Sequence, residues 1–281
     1  MGVVAFRART PGLGPGVLER SGRLGRRFRG SFGRGLGAAL ALGALGRCWC
    51  FSGFRRRRRG LGRLLATLGR VFGRLTYPLQ VVELEPGERL EREGYRLETF
   101  AVDHGVPAVG YGLVEAARPG RFDVETASRL GVPDGPARGV LQRGEPVTLA
   151  DGRVVRPEDV LGSPRAGRKV VLSADTAPAK TVVEAASGAD LLVHEATFLA
   201  DETERAKETL HSTAGGAALV AREAGVKLLA LTHLSTRYFG HQVVEEAREL
   251  FPDTVVPRDF DLVQIPFPER GPPELVRDGA R

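Results

Sequence analysis

The chain has 281 residues and a net charge of +7, room for one large α/β domain or two small ones. The charge is unevenly spread: residues 1–60 hold 14 Arg, no Lys and one acid, Glu19, which makes +13 and leaves −6 for the other 221 (+7 less +13). Both cysteines, Cys48 and Cys50, lie in the basic segment, so residues 60–281 exclude a disulfide framework; the apolar run 36–46 is 11 residues long, too short for a bilayer span, which takes about 20.

Residues 1–59 read as low complexity: Gly and Arg dominate, no helical or alternating period persists, and Arg55–Arg59 is an unbroken run. Such a segment buries no core and is expected to be disordered. Four origins stay open. It is a basic arm making salt-sensitive phosphate contacts, a targeting peptide with a late apolar patch, a solvated tail, or GC-rich DNA translated out of frame. From Gly60 the text changes, and residues 60–281 form the second unit. Leu61, Leu64, Leu65, Leu68 and Phe72 recur at helical spacing, with Arg63, Arg70 and Arg74 opposite. Gln80–Leu84 is β-rich, and Pro86-Gly87 is a turn signal. Tyr95–Val102 predicts a strand running into Asp103-His104-Gly105-Val106-Pro107, with Val109–Val114 as its sheet neighbour. His104 then stands at a sheet edge.

Residues 116–168 are dense in Gly and Pro, and only Asp123–Leu130 looks helical. An excursion this long is either a functional arm or an ordinary small β-rich insertion. Beyond it, Arg168–Asp175, Asp190–His194 and Val226–His233 are apolar, β-branched runs. Ala177–Ser187 and Thr213–Ala224 separate them at helical spacing and close on Gly188 and Gly225. Strand, helix, strand, helix, strand predicts a parallel sheet whose carboxyl ends share one edge, where ligands bind. Three successive strands deliver Asp175, His194 with Glu195, and His233 to that edge. After Tyr238, His241–Leu250 predicts an amphipathic helix, and 254–256 and 261–265 short closing strands. The last dozen residues look frayed.

Four of the five histidines, His104, His194, His211 and His233, fall at strand–loop junctions or in one short loop. Histidine and carboxylate suit borderline cations such as Zn²⁺, and a pair of metals activates water for in-line attack on phosphodiesters. Arg237, four residues past His233, could clamp a phosphate. His211 precedes Ser212-Thr213, a helix N-cap, which leaves it exposed and oriented as a general acid. Plainer roles stand beside these. His194 could be a core histidine, Asp175 and His233 strand-end polar residues, His104 a turn residue, Arg237 a surface cation and His241 a solvated helix start.

His194-Glu-Ala-Thr197, His211-Ser-Thr213 and Leu231-Thr-His-Leu-Ser-Thr-Arg-Tyr238, in this order and spacing, resemble the ribonuclease Z family, tRNA 3′-end-processing endonucleases of the metallo-β-lactamase fold. Asp103-His-Gly-Val-Pro-Ala-Val-Gly-Tyr111 and Leu141-Gln-Arg-Gly-Glu145 resemble it too, and the likeness runs from about Gly60 to Pro266. The resemblance implies an α/β fold: an incomplete metallo-β-lactamase-type αββα sandwich with a protruding arm. It implies a pair of zinc ions per subunit, with His104, Asp175 and His233 as ligands and Asp175 bridging. It implies that His211 protonates the leaving group with Glu195 of the His194-Glu-Ala-Thr197 motif in support, and that Arg237 contacts phosphate. Residues 116–168 match the arm that grips precursor tRNA, acting on the partner's substrate in a cytoplasmic homodimer; Gly135-Pro136 matches its Gly-Pro element. The implied reaction cuts 3′ to the discriminator nucleotide, leaving a 3′-hydroxyl on the tRNA and a 5′-phosphate on the trailer.

The chain departs from the family pattern. No histidine precedes His104, so the first metal motif, His-x-His-x-Asp-His, is absent, as are the Gly-rich opening strand and the Asp-Cys-Gly-Glu-Gly-Thr segment. Ala174-Asp175-Thr176 replaces the usual Gly-Asp-Thr. A site short of ligands binds metal weakly, so the expectation is an impaired enzyme. A non-catalytic RNA-binding remnant and another hydrolase of the same fold are the alternatives.

Overall fold

The computed structural model describes residues 82 and 84–277 and the backbone of Leu40 and Ala41. The Arg/Gly-rich segment, apart from that dipeptide, and the helix expected from Gly60 lie outside the described residues. So does most of the Gln80–Leu84 run. Strand β1 is Leu40–Ala41; β2 (Arg89–Arg92), β3 (Tyr95–Ala101) and β4 (Val109–Glu115) follow as an antiparallel meander. The arm carries α1 (Val124–Arg129), α2 (Pro136–Gln142), β5 (Val147–Thr148) and β6 (Val154–Val155). Then come β7 (Lys169–Leu172), α3 (Lys180–Ala186), β8 (Leu191–Glu195), α4 (Thr203–Thr209), α5 (Ala214–Ala224), β9 (Leu229–Thr232) and α6 (Gly240–Leu250). The short strands β10 (Thr254–Val255), β11 (Leu262–Gln264) and β12 (Glu274–Val276) end the described chain.

The central sheet has the order β10-β9-β8-β7-β4-β3-β2. From β7 to β10 the pairing is parallel, and β4 pairs antiparallel with β7 and with β3. Two reversals cancel, so β3 runs in the direction of β7. The carboxyl ends of β3, β7, β8 and β9 therefore fall on one edge.

Side chains alternate across the strands and divide the core in two. Val171, Leu192, Leu229 and Leu231 face α3, α5 and α6, with Val182, Val220 and Val243 completing that layer. Val170, Leu191, Val193, Leu228 and Ala230 face the other way, against Val263, Ile265 and Leu275 around the small β1-β11-β12 sheet. β8 is buried along its whole length, as a central parallel strand is, and each fully buried leucine in it contributes on the order of 2 kcal/mol. α5 presents Ala214, Ala217, Ala218, Ala221 and Ala224 to this core, small residues that let its axis come close. Thr213 caps it by accepting from the Gly216 N–H at 3.0 Å, and Gly225 ends it at φ +63°, a left-handed turn that glycine adopts without strain.

Several expectations need correction. The arm has a second helix, α2, where only Asp123–Leu130 had looked helical; Pro136 starts it, and its seven residues are too few for a periodic signal. The hairpin strand β2 and helix α4 had no counterpart in the sequence reading. The carboxyl end is not wholly frayed, since β12 pairs antiparallel with β11. No helix among the described residues is long and apolar enough to cross a membrane.

Candidate metal and acid–base centre

The sheet edge gathers a compact cluster. The Glu195 side chain, 1% exposed, lies at the end of β8. Its Oε1 accepts from the Thr176 N–H at 3.0 Å and lies 2.6 Å from His211 Nδ1. Its Oε2 accepts from the Thr197 N–H at 3.0 Å and from the Thr197 hydroxyl at 2.9 Å. A carboxylate has about four lone-pair sites, and here four donors fill them. Burial pushes the Glu195 carboxyl up, but the hydrogen bond and charge of His211 and the Thr176 N–H more than offset it, so the group titrates below its ordinary range. The same hydrogen bond, opposed by burial, holds the His211 imidazole above its usual value, with the charges of Glu195 and Asp175 adding to the effect. His211 is thus a cation-prone imidazole locked through Nδ1, with Nε2 free to give up a proton.

The other two edge histidines are held in matching ways. With its one proton given to Glu195, the Thr197 oxygen is left to accept from His233 Nδ1 at 2.8 Å. His104 Nδ1 lies 3.2 Å from the Leu210 carbonyl, which can only accept. Both rings then carry a proton on Nδ1, which leaves Nε2 turned away from those partners, the orientation in which second-shell acceptors present histidine to metals. The His211 ring stacks on His233 at 5.3 Å between centroids and meets His104 edge-on at 4.9 Å.

His233 Nε2 lies 3.7 Å from Asp175 Oδ2. The Asp175 side chain is 15% exposed and accepts no hydrogen bond from the described residues. Asp175 and His233 Nε2 face one another, and 3.7 Å is a span that two metal–ligand bonds of about 2.0–2.2 Å can bridge. Glu195, His211 and His233 also offer ligand atoms within 4.8 Å of one another. That trio is the weaker metal set, because the lone pairs of Glu195 are spent on its four donors and His211 Nδ1 is spent on Glu195. Asp175 Oδ2 and His233 Nε2 make a second, facing pair of donors beside it. Asp103, beside His104, is tied to this place: its N–H donates to the Thr176 hydroxyl at 3.0 Å, and it bridges Ala177.

Backbone strain collects here. Ala174 sits at φ +60°, Leu210 at +55° and His233 at +55°, a region that costs a non-glycine residue about 1 kcal/mol or more.

Two expected site residues lie apart from the cluster, and a third, within it, is less exposed than expected. His194 is fully buried; alternation turns it to the sheet face opposite Glu195, its Nδ1 donates to the Glu195 carbonyl at 2.8 Å, and Nε2 has no partner among the described residues. Burial pushes its imidazole down, so it stays neutral. Arg237 is engaged by Glu202, with Nη1 at 2.6 and 2.8 Å from the two carboxylate oxygens. His211 is oriented as expected but is not exposed; its side chain is 16% accessible, closed in by its two neighbouring rings and by Phe198. In the arm, Gly135 stands at φ +97° before Pro136, the first residue of α2. Thr176 and Thr197 were missed as functional residues: Thr197 stands two positions from the Glu195 it serves, whereas Thr176 reaches the same carboxylate from 19 positions away.

A mixed central sheet with helices on one face, a second sheet on the other and its polar cluster at the strand ends is part of a metallo-β-lactamase-type sandwich. No protein-family model matches the chain. By sequence, the chain is homologous to ribonuclease Z over about 70% of its length. It is 53% identical over 196 residues to ribonuclease Z of Myxococcus xanthus (69% of this chain, 64% of that protein) and 45% identical over 195 to that of Methanosarcina acetivorans (69% and 64%). It thus spans about 64% of the length of these curated relatives. Among solved structures it is similar to a metallo-beta-lactamase fold protein of Bacillus subtilis (TM-score 0.43, 18% identity, 64% of this chain and 54% of that one). It is also similar to human tRNase Z, short form (TM-score 0.38, 23% identity, 63% and 46%).

Proposed function

We propose that the chain carries the acid–base half of a metal-dependent endoribonuclease that trims the 3′ trailer from precursor tRNA, as the name of its relatives suggests. The observation that carries this is the Glu195–His211 pair standing beside a nearly buried, donor-free Asp175 that faces His233. In this reading Asp175, His233 and His104 would hold zinc, which when bound supplies Lewis acidity at phosphate and a nucleophilic water. His211 gives its Nε2 proton to the leaving oxygen, and Glu195 keeps the ring aimed and charged. Thr197 fixes the tautomer of His233. Arg237 reaches phosphate only by leaving Glu202. The excursion of residues 116–168, with Gly135-Pro136, grips the tRNA, and two chains assemble as a homodimer in the cytoplasm.

A second reading is an RNA-binding protein that does not cut. It is favoured by the absence of any histidine before His104, so that the described donors fall short of the three or four per metal that zinc sites use. One experiment separates the two. The purified full chain is assayed for bound zinc and for trailer release from a precursor tRNA, beside His211→Ala and Asp175→Asn. Zinc-dependent release that both variants abolish supports the nuclease. RNA binding with no release in any zinc concentration supports the second reading, and release untouched by both variants sinks the assignment of the site.

A further inference from the structure

The arm leaves the sheet after Glu115 and returns at Lys169, and the two chain segments of its neck run backbone to backbone. Arg118 and Arg165 exchange N–H···O bonds of 2.7 and 2.9 Å, and Phe122 bridges Leu161. A Cβ on Gly120 would run into the Gly162 backbone, so this approach requires glycine. Three guanidinium groups cluster at the neck, and the segment from Ile265 to Glu269 meets all of them. Glu269 accepts from Arg118 Nη1 at 2.8 Å and Nη2 at 3.1 Å, and from Arg165 Nη1 at 2.8 Å. The Arg118 guanidinium lies 3.6 Å from the centroid of the Phe267 ring, and that of Arg168 4.7 Å. Arg168 also donates to Glu115 at 2.7 Å and to the Ile265 carbonyl at 3.0 Å.

A lone surface ion pair fixes little. Here one carboxylate joins both strands of the neck, and one aromatic ring packs under a guanidinium from each. We infer that the segment 265–269 is a brace that sets the direction of the arm relative to the sheet, and that Glu269 and Phe267 are positioning residues for RNA held by the arm. The second half rests on the RNA-gripping role proposed above; the first does not. A brace of this kind acts by preorganisation: it spares a binding RNA the cost of ordering a swinging arm.

The test uses the full chain with C48S and C50S, carrying spin labels at V154C on the arm and L219C on α5, both positions exposed. Distances between the labels are measured by electron double resonance in this parent and with Glu269→Gln or Phe267→Leu added. Each substitution broadens the distance distribution about twofold or more, while the thermal midpoint shows the sheet still folded. Precursor tRNA affinity, measured by fluorescence anisotropy, falls about fivefold in the same variants. Distributions as narrow as the parent's in both variants overturn the brace. Broadened distributions with unchanged affinity overturn the positioning role. Should the parent itself bind no tRNA, the proposed function fails while the distances still decide the brace.

Discussion

Glu195 is a carboxylate with every acceptor position occupied, and its hydrogen bond and charge hold the His211 imidazole above its ordinary value. Glu195→Gln keeps the shape, removes the charge and cannot accept all four donors, so it should destabilise the fold by about 2 kcal/mol and bring the His211 imidazole back down. The pH dependence follows from the directions of the two shifts. His211 lies above its ordinary 6.5, so its contribution to stability is whole below that value and is lost as pH rises through the raised one. Glu195 lies below its ordinary 4.5, so its contribution is whole above that value and is lost as pH falls through the lowered one. Stability should therefore peak between the two ordinary values, and urea melts from pH 3 to 9 should show the plateau flatten in Glu195→Gln. Ala174 offers a second test. Its φ of +60° explains why a glycine is the expected residue before Asp175, and Ala174→Gly should raise stability by about 1 kcal/mol, visible as a higher Tm. The substitution was legible in the sequence; that it falls on a left-handed backbone was not, because nothing in three letters of text states a dihedral angle.

At the level of elements, the arm has a core of its own: Ala127, Val132, Leu141, Val155 and Val160, with Phe122, Leu130 and Val147 packed around them. Leu141→Ala should cost about 3 kcal/mol within this cluster. Hydrogen exchange should then report faster opening in α1 and α2 while β8 and α5 keep their protection. The strands and helices of the sheet were legible because each is long or strongly patterned: β7, β8 and β9 are apolar runs, and α5 and α6 hold their period over 11 residues each. α2 was not, since Pro-Ala-Arg-Gly-Val-Leu-Gln places two apolar side chains in a row and takes its helical form from a proline start and from packing of Leu141. Arg237 shows the same limit. Its spacing from His233 suggested a free cation, and only the fold brings Glu202 from before α4 to hold it.

For the whole molecule, metal and stability should be linked. If Asp175 and His233 take a cation in the native state alone, zinc at 100 times its dissociation constant should add about 2.7 kcal/mol. Titrating Zn²⁺ should then raise the Tm of the parent chain, and neither Asp175→Asn nor His233→Ala should respond. An equal rise in all three would place the bound ion elsewhere. The convergence of His104 with Asp175 and His233 on one edge was half legible: the parallel order of β7, β8 and β9 could be read from their rhythm, whereas the direction of β3 depends on a double reversal through β4 that only pairing reveals.

That shared direction has a consequence for how such a protein can change over time. Four strand tips open onto a common rim, and His104, Asp175 and His233 stand on the short turns just past β3, β7 and β9, with Glu195 at the tip of β8. Mutations in those turns can change the polar groups at the rim while the hydrophobic frame below stays intact; the scaffold and the chemistry proposed for it can vary separately.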